Sequence, residues 1–362
     1  MKRDGPGGPG GTGGGSPPCA VEAGGSPPCA GKVGGGPEAQ SKHGLVIVDK
    51  PGGMTSHDVV ARVRRLAGTR RVGHAGTLDP MATGVLVVGV EKATRLLGYL
   101  TLTEKEYAAT IRLGQSTSTD DAEGEITGGA PATHVCSETL ARAITELTGD
   151  ISQVPPAVSA IKVDGQRAYR LTRAGAAPEL KARPVTVYEF TVTGTRQVKG
   201  AGPGGTRGGS PPCAVEAGGS PPCAEEVGGL LDVDAIVRCS SGTYIRALAR
   251  DLGAALGTGG HLTRLRRTRV GGYGEQDART LEQLADRFEV LPLAQAVAAA
   301  FPRRNLTEQE ALRLAHGGRL PAAAPGPVPA EPGPTAAYAP DGTLIALVTE
   351  ESGQARPLVV FA

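Results

Sequence analysis

One sequence, GGSPPCAVEAGGSPPCA, occurs twice in this chain of 362 residues, at 14–30 and again at 208–224. Each copy consists largely of Gly, Ser, Pro and Ala, so it offers almost no apolar side chains to offset the entropy of ordering its backbone. We therefore expect a disordered Gly/Pro-rich tail at 1–42 and a functionally silent surface insert at 198–229. The folded core must come from the rest of the chain.

Composition narrows the class of protein further. Hydrophobic residues make up 39% of the chain, which is typical of a globular protein of one or two domains. No apolar stretch reaches the roughly 18 residues of a membrane span, and the N-terminus has no apolar core of a secretory signal. The net charge is only +2, so a nucleic-acid binder of this kind must concentrate its positive charge in patches.

The cysteines indicate neither a metal site nor a required disulfide. Four of the six lie in the repeated sequence and none forms a C-x-x-C pair, so a zinc site is not expected. Cys136 and Cys239 are isolated in the sequence. These features favour a protein of the reducing cytoplasm.

The remaining sequence mixes strand and helix patterns without strict alternation, which predicts an α+β sheet domain. Thr55 and Asp58 resemble a capping box before a helical stripe, and Ser137 is a second candidate helix cap. The predicted strands are LVIV at 45–48, GVLVVGV at 84–90, EYAATIRLG at 106–114, PVTVYEFTV at 184–192 and DVDAIVRCS at 232–240. Helices are predicted over 92–100, from Ser137 to Gly149, and over TYIRALARDLGAALG.

The last 60 or so residues have a different character. Thr307 and Glu310 form a capping box for a short helix that should end near Gly317. After a Pro/Ala linker, the sequence alternates around a PDG turn signal, which is typical of a β-hairpin. We expect a small β-rich module here.

Asp79 lies in GHAGTLDPMATGVLVVGV, between a glycine-rich turn and an apolar run. The following proline favours an extended conformation, so Asp79 should not lie inside a helix. Two interpretations remain: the aspartate caps a turn, or a rigid turn presents a reactive carboxylate to a substrate. Three further residues favour the second interpretation. Arg246 lies on a predicted helix, on the side opposite its leucines, while Tyr107 and His74 are flat rings able to stack on a flipped base.

Two basic runs accompany this candidate site. One contains Lys162, Arg167, Arg170, Arg173, Lys181 and Arg183, and the other contains Arg264, Arg266, Arg267 and Arg269. Such runs are usually solvated faces, but beside the candidate site they predict contacts with nucleic-acid phosphates. No metal-ligand spacing and no phosphate-loop motif accompanies them, so no cofactor is expected.

Several separate blocks resemble the TruB family of tRNA pseudouridine synthases. They are VDKPGGMTSHDVV (48–60), VGHAGTLDPMATGVLVVGVEKATRL (72–96), KEYAATIRLGQSTSTDDAEGE (105–125), QVPPAVSAIKVDGQRAYRLTRAG (153–175), RPVTVYEF (183–190) and RCSSGTYIRALARDLGAALGTGGHLTRLRR (238–267). The C-terminal module is similar, more weakly, to the PUA-like RNA-binding domain of that family. The resemblance implies a pseudouridine synthase catalytic domain at 43–297, with a mixed, mostly antiparallel sheet flanked by helices, and a PUA-like domain at 298–362.

The resemblance also implies a reaction and the residues that carry it. The family isomerises the uridine at tRNA position 55, in the T loop, to pseudouridine, by breaking the N1–C1′ bond and joining C5 to C1′. Asp79 matches the catalytic aspartate, which either attacks the sugar or assists through a glycal intermediate. The other matches are Arg246 as its partner, Tyr107 as the stacking ring, Tyr244 and Leu265 in the pocket, His74 in the T loop, and Lys50 as support for the pocket.

The implied partner is the tRNA T stem-loop, bound by a cytoplasmic monomer with no membrane contact and no obligate protein partner. Two alternatives remain open. One is a non-catalytic tRNA-binding or tRNA-folding helper on the same scaffold, and the other is an RNA-guided relative that acts on ribosomal RNA with partner proteins. A stand-alone test on a tRNA transcript would separate them.

Overall fold

The protein is described here by a computed structural model that covers residues 43–158, 162–163, 166–167, 180–198, 229–322 and 333–361. Both copies of the repeated sequence lie outside these ranges, so the disordered tail and silent insert stay predictions. Of the first basic run, Arg170 and Arg173 also lie outside the described residues, as do the side chains of Lys162 and Arg167.

The secondary structure follows the predicted mixture of strands and helices. The strands are β1 Gly44–Lys50, β2 Val72–Ala75, β3 Thr83–Val90, β4 Lys105–Leu113, β5 Ser116–Thr117, β6 Ile126–Gly128, β7 Gly149–Gln153, β8 Lys162–Val163, β9 Gln166–Arg167, β10 Arg183–Val198, β11 Leu230–Cys239, β12 Gly260–Val270, β13 Tyr273–Gly274, β14 Leu291–Pro292, β15 Arg303–Asn305, β16 Leu320–Pro321, β17 Thr335–Tyr338, β18 Leu344–Glu351 and β19 Gln354–Val360. The α-helices are α1 Ser56–Ala67, α2 Leu97–Thr101, α3 Ser137–Glu146, α4 Ile245–Ala255, α5 Leu281–Asp286, α6 Leu293–Ala300 and α7 Glu308–Ala315. Short 3-10 helices span Glu91–Leu96, Ala132–His134 and Glu275–Asp277.

A ten-stranded sheet forms the centre of the fold. Its strand order is β14-β1-β3-β12-β4-β11-β10-β7, with β2 paired to β3 and β13 paired to β12. The β3–β12 pair is parallel and the other pairs are antiparallel, which confirms the predicted mixed, mostly antiparallel sheet. This order places β3, β12 and β4 side by side, and the candidate site lies where these strands meet their loops.

Strands β10 and β11 form a long hairpin whose last described pair is Val198 with Leu230. Residues 199–228 therefore connect two positions that lie opposite each other in the sheet. Closing a loop between two residues that already lie opposite each other costs little additional entropy as the loop lengthens. The hairpin can accept an insert there without any change to the register of the sheet.

Apolar side chains cover both faces of the central strands. On one face, α1, α3, α4 and α5 bury residues such as Val59, Leu140 and Leu248 against the sheet. On the other face, residues of β1 and β3 share a core with the C-terminal module, which contributes Tyr338 and Phe361. The C-terminal strands follow the order β15-β17-β18-β19-β16 and form the expected β-rich module.

Local predictions were accurate at helix starts that carry capping boxes and less accurate elsewhere. Thr55 and Thr307 are the N-caps of α1 and α7, each with its predicted capping box. The helix predicted over 92–100 is instead a 3-10 helix followed by the short α2, and Ser137 is the first residue of α3, with Cys136 as its N-cap. None of the helices in the described ranges is long and apolar enough to cross a membrane.

Candidate active site

A cavity of about 250 Å³ lies at the junction of the central strands with three loops. Its wall comes from the loop after β2, the C-terminal end of α2, the start of β4, the segment leading into α4, and the middle of β12. The lining residues are Gly76, Thr77, Leu78, Asp79, Thr101, Lys105, Tyr107, Ser240, Gly242, Thr243, Tyr244, Ile245, Arg246, Leu265 and Arg267. Five of the seven predicted site residues are therefore brought together: Asp79, Tyr107, Tyr244, Arg246 and Leu265.

The loop that carries Asp79 is fixed through its backbone on both sides of the carboxylate. The Ser56 hydroxyl donates to the Leu78 carbonyl oxygen at 3.1 Å and accepts from the Leu78 N–H at 2.9 Å. On the other side, Lys50 Nζ donates to the Pro80 carbonyl oxygen at 3.1 Å. Because the neighbours of Asp79 are tied to α1 and β1, the carboxylate is presented from a rigid turn.

Arg267, on β12, supports the same loop through hydrogen bonds to backbone carbonyl oxygens. Its Nε donates to the Val85 carbonyl oxygen at 2.8 Å, Nη2 to that of Gly76 at 3.2 Å, and Nη1 to that of Thr77 at 3.4 Å. Gly76 has a φ of +83°, in the left-handed region where a side chain would be strained. The glycine therefore gives the turn the shape that directs its carbonyl oxygen at the guanidinium.

Arg246 joins Asp79 to a second carboxylate. It lies in the first turn of α4 with a side chain 5% exposed, and its Nε lies 3.0 Å from Asp79 Oδ2 without straight hydrogen-bond geometry. Nη1 lies 3.3 Å from Oδ2 of the buried Asp121 and donates to the Thr119 carbonyl oxygen, while Nη2 donates to that of Val158. The Asp79 carboxylate, at 36% exposed, is thus the member of this charge network that solvent or a ligand can reach.

Tyr107 contributes an aromatic ring to the cavity wall, and Leu265 contributes an apolar side chain. Tyr107 lies on β4 opposite Arg267 of β12, and Leu265 precedes that arginine by two residues. Both side chains are almost fully buried. Burial raises the pKa of the Tyr107 hydroxyl, although the positive charge of Arg267 acts in the opposite direction.

Two buried lysines flank the cavity. Lys50 donates to the carbonyl oxygens of Pro51, Met54 and Pro80, and Lys105 donates to those of Thr101 and Thr103. Burial, aided by the charge of Arg267, lowers the pKa of each ammonium to about 8. Lys105 lines the cavity and Lys50 does not, so Lys50 supports the Asp79 loop rather than the cavity wall.

The segment leading into α4 is fixed by a residue that the sequence patterns did not single out. The Gln153 side chain, buried at the end of β7, accepts from the Tyr244 N–H at 2.8 Å and donates to the Tyr244 carbonyl oxygen at 3.2 Å. Tyr244 is the N-cap of α4. This pair of hydrogen bonds sets where Tyr244 and Arg246 enter the cavity.

His74 lies apart from the cavity wall. It is on β2, and its half-buried ring meets that of His57 edge to face at 5.5 Å between centroids. Burial lowers the pKa of His74, and the charge of His57 acts in the same direction. Its predicted contact with the T loop remains a prediction.

Sequence reasoning missed Arg267 as a structural residue, and it also missed Lys105, Asp121 and Gln153. Arg267 was assigned to a phosphate-contact run, but it is 1% exposed. The motif blocks contain all four residues, yet burial of a charged or amide side chain leaves no mark in residue type or spacing. Within the described ranges, no three His, Cys, Asp or Glu side chains cluster as metal ligands would. The expected absence of a metal stays a prediction.

These groups form a site suited to an uncharged ring with a sugar attached. Asp79 supplies a carboxylate at the cavity surface, and Tyr107 and Leu265 supply flat and apolar contact. The buried cations Lys105, Arg246 and Arg267 line the same cavity. A carboxylate fixed beside an arginine can stabilise positive charge that develops on a sugar carbon.

Comparisons with known proteins identify the family of the chain. Residues 64–200 match the model described as TruB family pseudouridylate synthase (N terminal domain), 246–296 match the tRNA pseudouridylate synthase B C-terminal domain, and 301–362 match tRNA Pseudouridine synthase II, C terminal. The tRNA pseudouridine synthase B of Thermobifida fusca (strain YX) is 60% identical over 319 residues, which is 88% of this chain and 98% of that protein. The protein of the same name from Arthrobacter sp. (strain FB24) is 54% identical over 322 residues, covering 88% and 96%.

Solved structures share the fold and confirm the predicted fold class. A Cbf5-Nop10-Gar1 complex matches with a TM-score of 0.59 and 26% identity, over 88% of this chain and 84% of that chain. An H/ACA RNP bound to a substrate RNA containing 2′-deoxyuridine matches with a TM-score of 0.59 and 24% identity, over 89% and 86%. With relatives of more than half identity along most of its length, the chain belongs to the TruB family of pseudouridylate synthases.

Proposed function

We propose that this protein converts uridine 55 of tRNA to pseudouridine, with Asp79 as the catalytic carboxylate. The observation that carries the proposal is the pair formed by Asp79 and Arg246, 3.0 Å apart at the surface of a cavity walled by Tyr107 and Leu265. The names of the relatives support tRNA as the substrate class. A turn cap would need neither the buried arginine nor the cavity.

The reaction rearranges bonds within one nucleotide. The N1–C1′ bond breaks and its electron pair stays on uracil N1, which leaves electron deficiency at C1′. Asp79 either bonds to C1′ or assists loss of the C2′ proton to give a glycal. The uracil then turns and a C5–C1′ bond forms, as the Asp79–C1′ bond breaks on the first route or as C2′ regains its proton on the second. The C5 proton leaves and N1 gains a proton, so no atom is gained or lost overall.

Each remaining site residue takes a role in binding or support. Tyr107 stacks on the flipped uracil, which returns about 1–3 kcal/mol of the few kcal/mol that flipping costs. Tyr244 and Leu265 complete the pocket around the base. His74 contacts the T loop outside the cavity wall, and Lys50 supports the Asp79 loop through its carbonyl contacts.

We further propose a division of labour along the chain. Residues 43–297 carry the chemistry, and residues 298–362 add tRNA contacts in the manner of a PUA-like domain. The enzyme acts in the cytoplasm as a monomer, on the tRNA T stem-loop and without an obligate protein partner.

Incubation of the purified protein with an unmodified tRNA transcript, followed by mapping of pseudouridine, tests the proposal. The wild type should modify position 55 with no added RNA or protein. Asp79→Asn keeps the shape of the side chain and removes its charge, so it should fold, bind tRNA and form no detectable pseudouridine.

Two results would contradict this assignment. Normal turnover by Asp79→Asn, with an unchanged melting temperature, would return Asp79 to the role of a turn cap, since Asn caps turns about as well as Asp. A wild type that binds tRNA and never modifies it would instead favour the helper activity.

A further inference from the structure

Lys105 is a buried cation in the cavity wall with an incomplete set of partners. It is the first residue of β4, it is 5% exposed, and its ammonium donates to the carbonyl oxygens of Thr101 and Thr103. A lysine ammonium has three N–H donors. Among the residues that the structure describes, no acceptor takes the third donor of Lys105.

Lys50 shows what a fully satisfied buried lysine looks like in the same molecule. Its three donors go to the carbonyl oxygens of Pro51 at 2.9 Å, Met54 at 2.7 Å and Pro80 at 3.1 Å. Lys50 lies outside the cavity wall, whereas Lys105 lies in it. The two lysines therefore differ in one respect: Lys105, in the cavity wall, has an N–H donor without an acceptor in the part of the chain that the structure describes.

The charge around Lys105 is also uncompensated. Arg267 lines the same cavity, and across the described ranges neither cation has a carboxylate within 4.0 Å. The acceptors that they do have are neutral carbonyl oxygens, two for Lys105 and three for Arg267. Buried cations without an acid partner favour an anion beside them, because little water is present to screen them.

We propose that Lys105, with Arg267 behind it, stabilises the negative charge that uracil carries once its bond to the sugar has broken. This inference rests on the proposed function. When the N1–C1′ bond breaks, its electron pair spreads from N1 over the ring carbonyl oxygens, and the free donor of Lys105 can bind one of those oxygens. The charge is removed again when C5 bonds to C1′ and N1 takes up a proton, so the lysine is neither consumed nor deprotonated.

The pH dependence of the reaction follows from the surroundings of Lys105. Two charged or titratable groups act on it, Arg267 on β12 and Cys239 on β11. Tyr107 and Asp79 line the same cavity. Burial lowers the pKa of Lys105 to about 8 and raises that of Cys239 to about 11, and it raises that of Tyr107 above its ordinary value. The ammonium is charged below about pH 8 and neutral above it.

The test is a single-turnover measurement of pseudouridine formation, with saturating enzyme and a tRNA transcript, from about pH 6.5 to about pH 9.5. The wild-type rate should fall as the pH rises through about 8. Lys105→Met should be slower by about 10²–10³-fold near neutral pH, the usual loss for one preorganised donor, and should show no fall at that pH. Lys105→Arg should keep part of the rate and also lose the alkaline fall, because a guanidinium stays charged.

Lys92→Met is the matched control, since Lys92 lies outside the cavity wall and donates to the Phe361 carbonyl oxygen at 3.0 Å. It removes the same charge from the protein and should keep the wild-type rate and profile. Melting temperatures measured over the same pH range separate a change in chemistry from unfolding. If Lys105→Met fails to fold, the profiles of Lys105→Arg and the wild type still decide.

The outcomes separate this inference from the proposed function. A wild type that forms no pseudouridine at any pH would remove the proposed function itself. An active wild type whose rate does not fall above about pH 8 would overturn the role of Lys105 alone. So would a folded Lys105→Met with the wild-type rate, or an alkaline fall that persists unchanged in Lys105→Arg.

Discussion

On the cavity side of β12, Arg267 is 1% exposed and donates to three backbone carbonyl oxygens. On the opposite side of the same strand, Arg269 is 30% exposed and pairs with Glu104 at 2.7 Å and Glu106 at 3.6 Å. The first arginine fixes the loop that carries Asp79, and the second belongs to a ladder of surface ion pairs. One short basic run thus serves two unrelated purposes.

A break in the regular pairing of β12 explains how residues 267 and 269 reach opposite faces. In a regular strand, residues two apart point to the same side. The pairing of β12 with β4 shifts register between Arg267 and Arg269, so Thr268 is an extra residue at that point. Such a bulge redirects the side chains that follow it, and Arg269 joins Thr268 in contacting Glu106.

The two environments differ in energy as well as in direction. A surface ion pair contributes between about 0 and 1 kcal/mol, because water already solvates both charges. When a buried guanidinium is removed, water cannot take its place at the carbonyl oxygens that it served. Each acceptor left unsatisfied costs about 1–3 kcal/mol. Variants of the buried arginine should therefore lose much more unfolding free energy than variants of the surface arginine.

The largest expected effect in this comparison belongs to Arg246. Arg246→Ala removes the positive charge between Asp79 and the buried Asp121, which typically costs about 3–5 kcal/mol of stability for a buried pair. Single-turnover pseudouridine formation should be severely impaired. Denaturant unfolding measures the first quantity and a tRNA modification assay the second.

Arg246→Lys serves as the control for charge without shape. An ammonium cannot reach Asp79, Asp121 and the two carbonyl oxygens together, so both stability and rate should recover only in part. Full recovery would show that charge alone matters and that the planar fork of the guanidinium contributes nothing.

Arg267→Met should have the next largest effect. It leaves the carbonyl oxygens of Val85, Gly76 and Thr77 without their donor, and at about 1 kcal/mol for each the loss of unfolding free energy is about 3 kcal/mol. The Asp79 loop should lose part of its support, so the modification rate should fall more than the affinity for tRNA. A variant that lost affinity but kept its single-turnover rate would place Arg267 among phosphate contacts, as the sequence first suggested.

The sequence was most informative where chemistry and backbone geometry coincide. Motif blocks identified Asp79, Tyr107 and Arg246, and the structure places these side chains in the wall of one cavity. Their roles remain predictions. Strand and cap patterns also predicted β1, β3, β4 and α1 closely, since alternation and capping are local properties of the chain.

What the sequence could not give depends on contacts between distant segments. Gln153 meets Tyr244 across 91 residues, and Arg267 meets Gly76 across 191. Neither contact has a local pattern, because it arises only when the sheet brings β7 beside β10 and β12 beside β3. The bulge at Thr268 is a further example, since it turns Arg269 to the face opposite Arg267.

The smallest expected effect tests the outer side of the comparison. Arg269→Ala removes partly exposed ion pairs and should cost at most ~1 kcal/mol of stability, with tRNA binding and its salt dependence unchanged. Burial alone would raise the pKa of Glu104, but the hydrogen bonds and charges of Arg269 and Arg238 outweigh it and lower that pKa. The stability contributed by this carboxylate is therefore present above its unfolded pKa of about 4.3 and is lost as the pH falls below it, so wild type and variant should converge in acid.

Arg264→Ala is the matched variant, because Arg264 is the exposed arginine of the run and should contact phosphate. It should weaken tRNA binding and reduce the salt slope by about 1, at little cost in stability. A reduced salt slope in Arg269→Ala instead would show that its ion pairs open to receive the RNA.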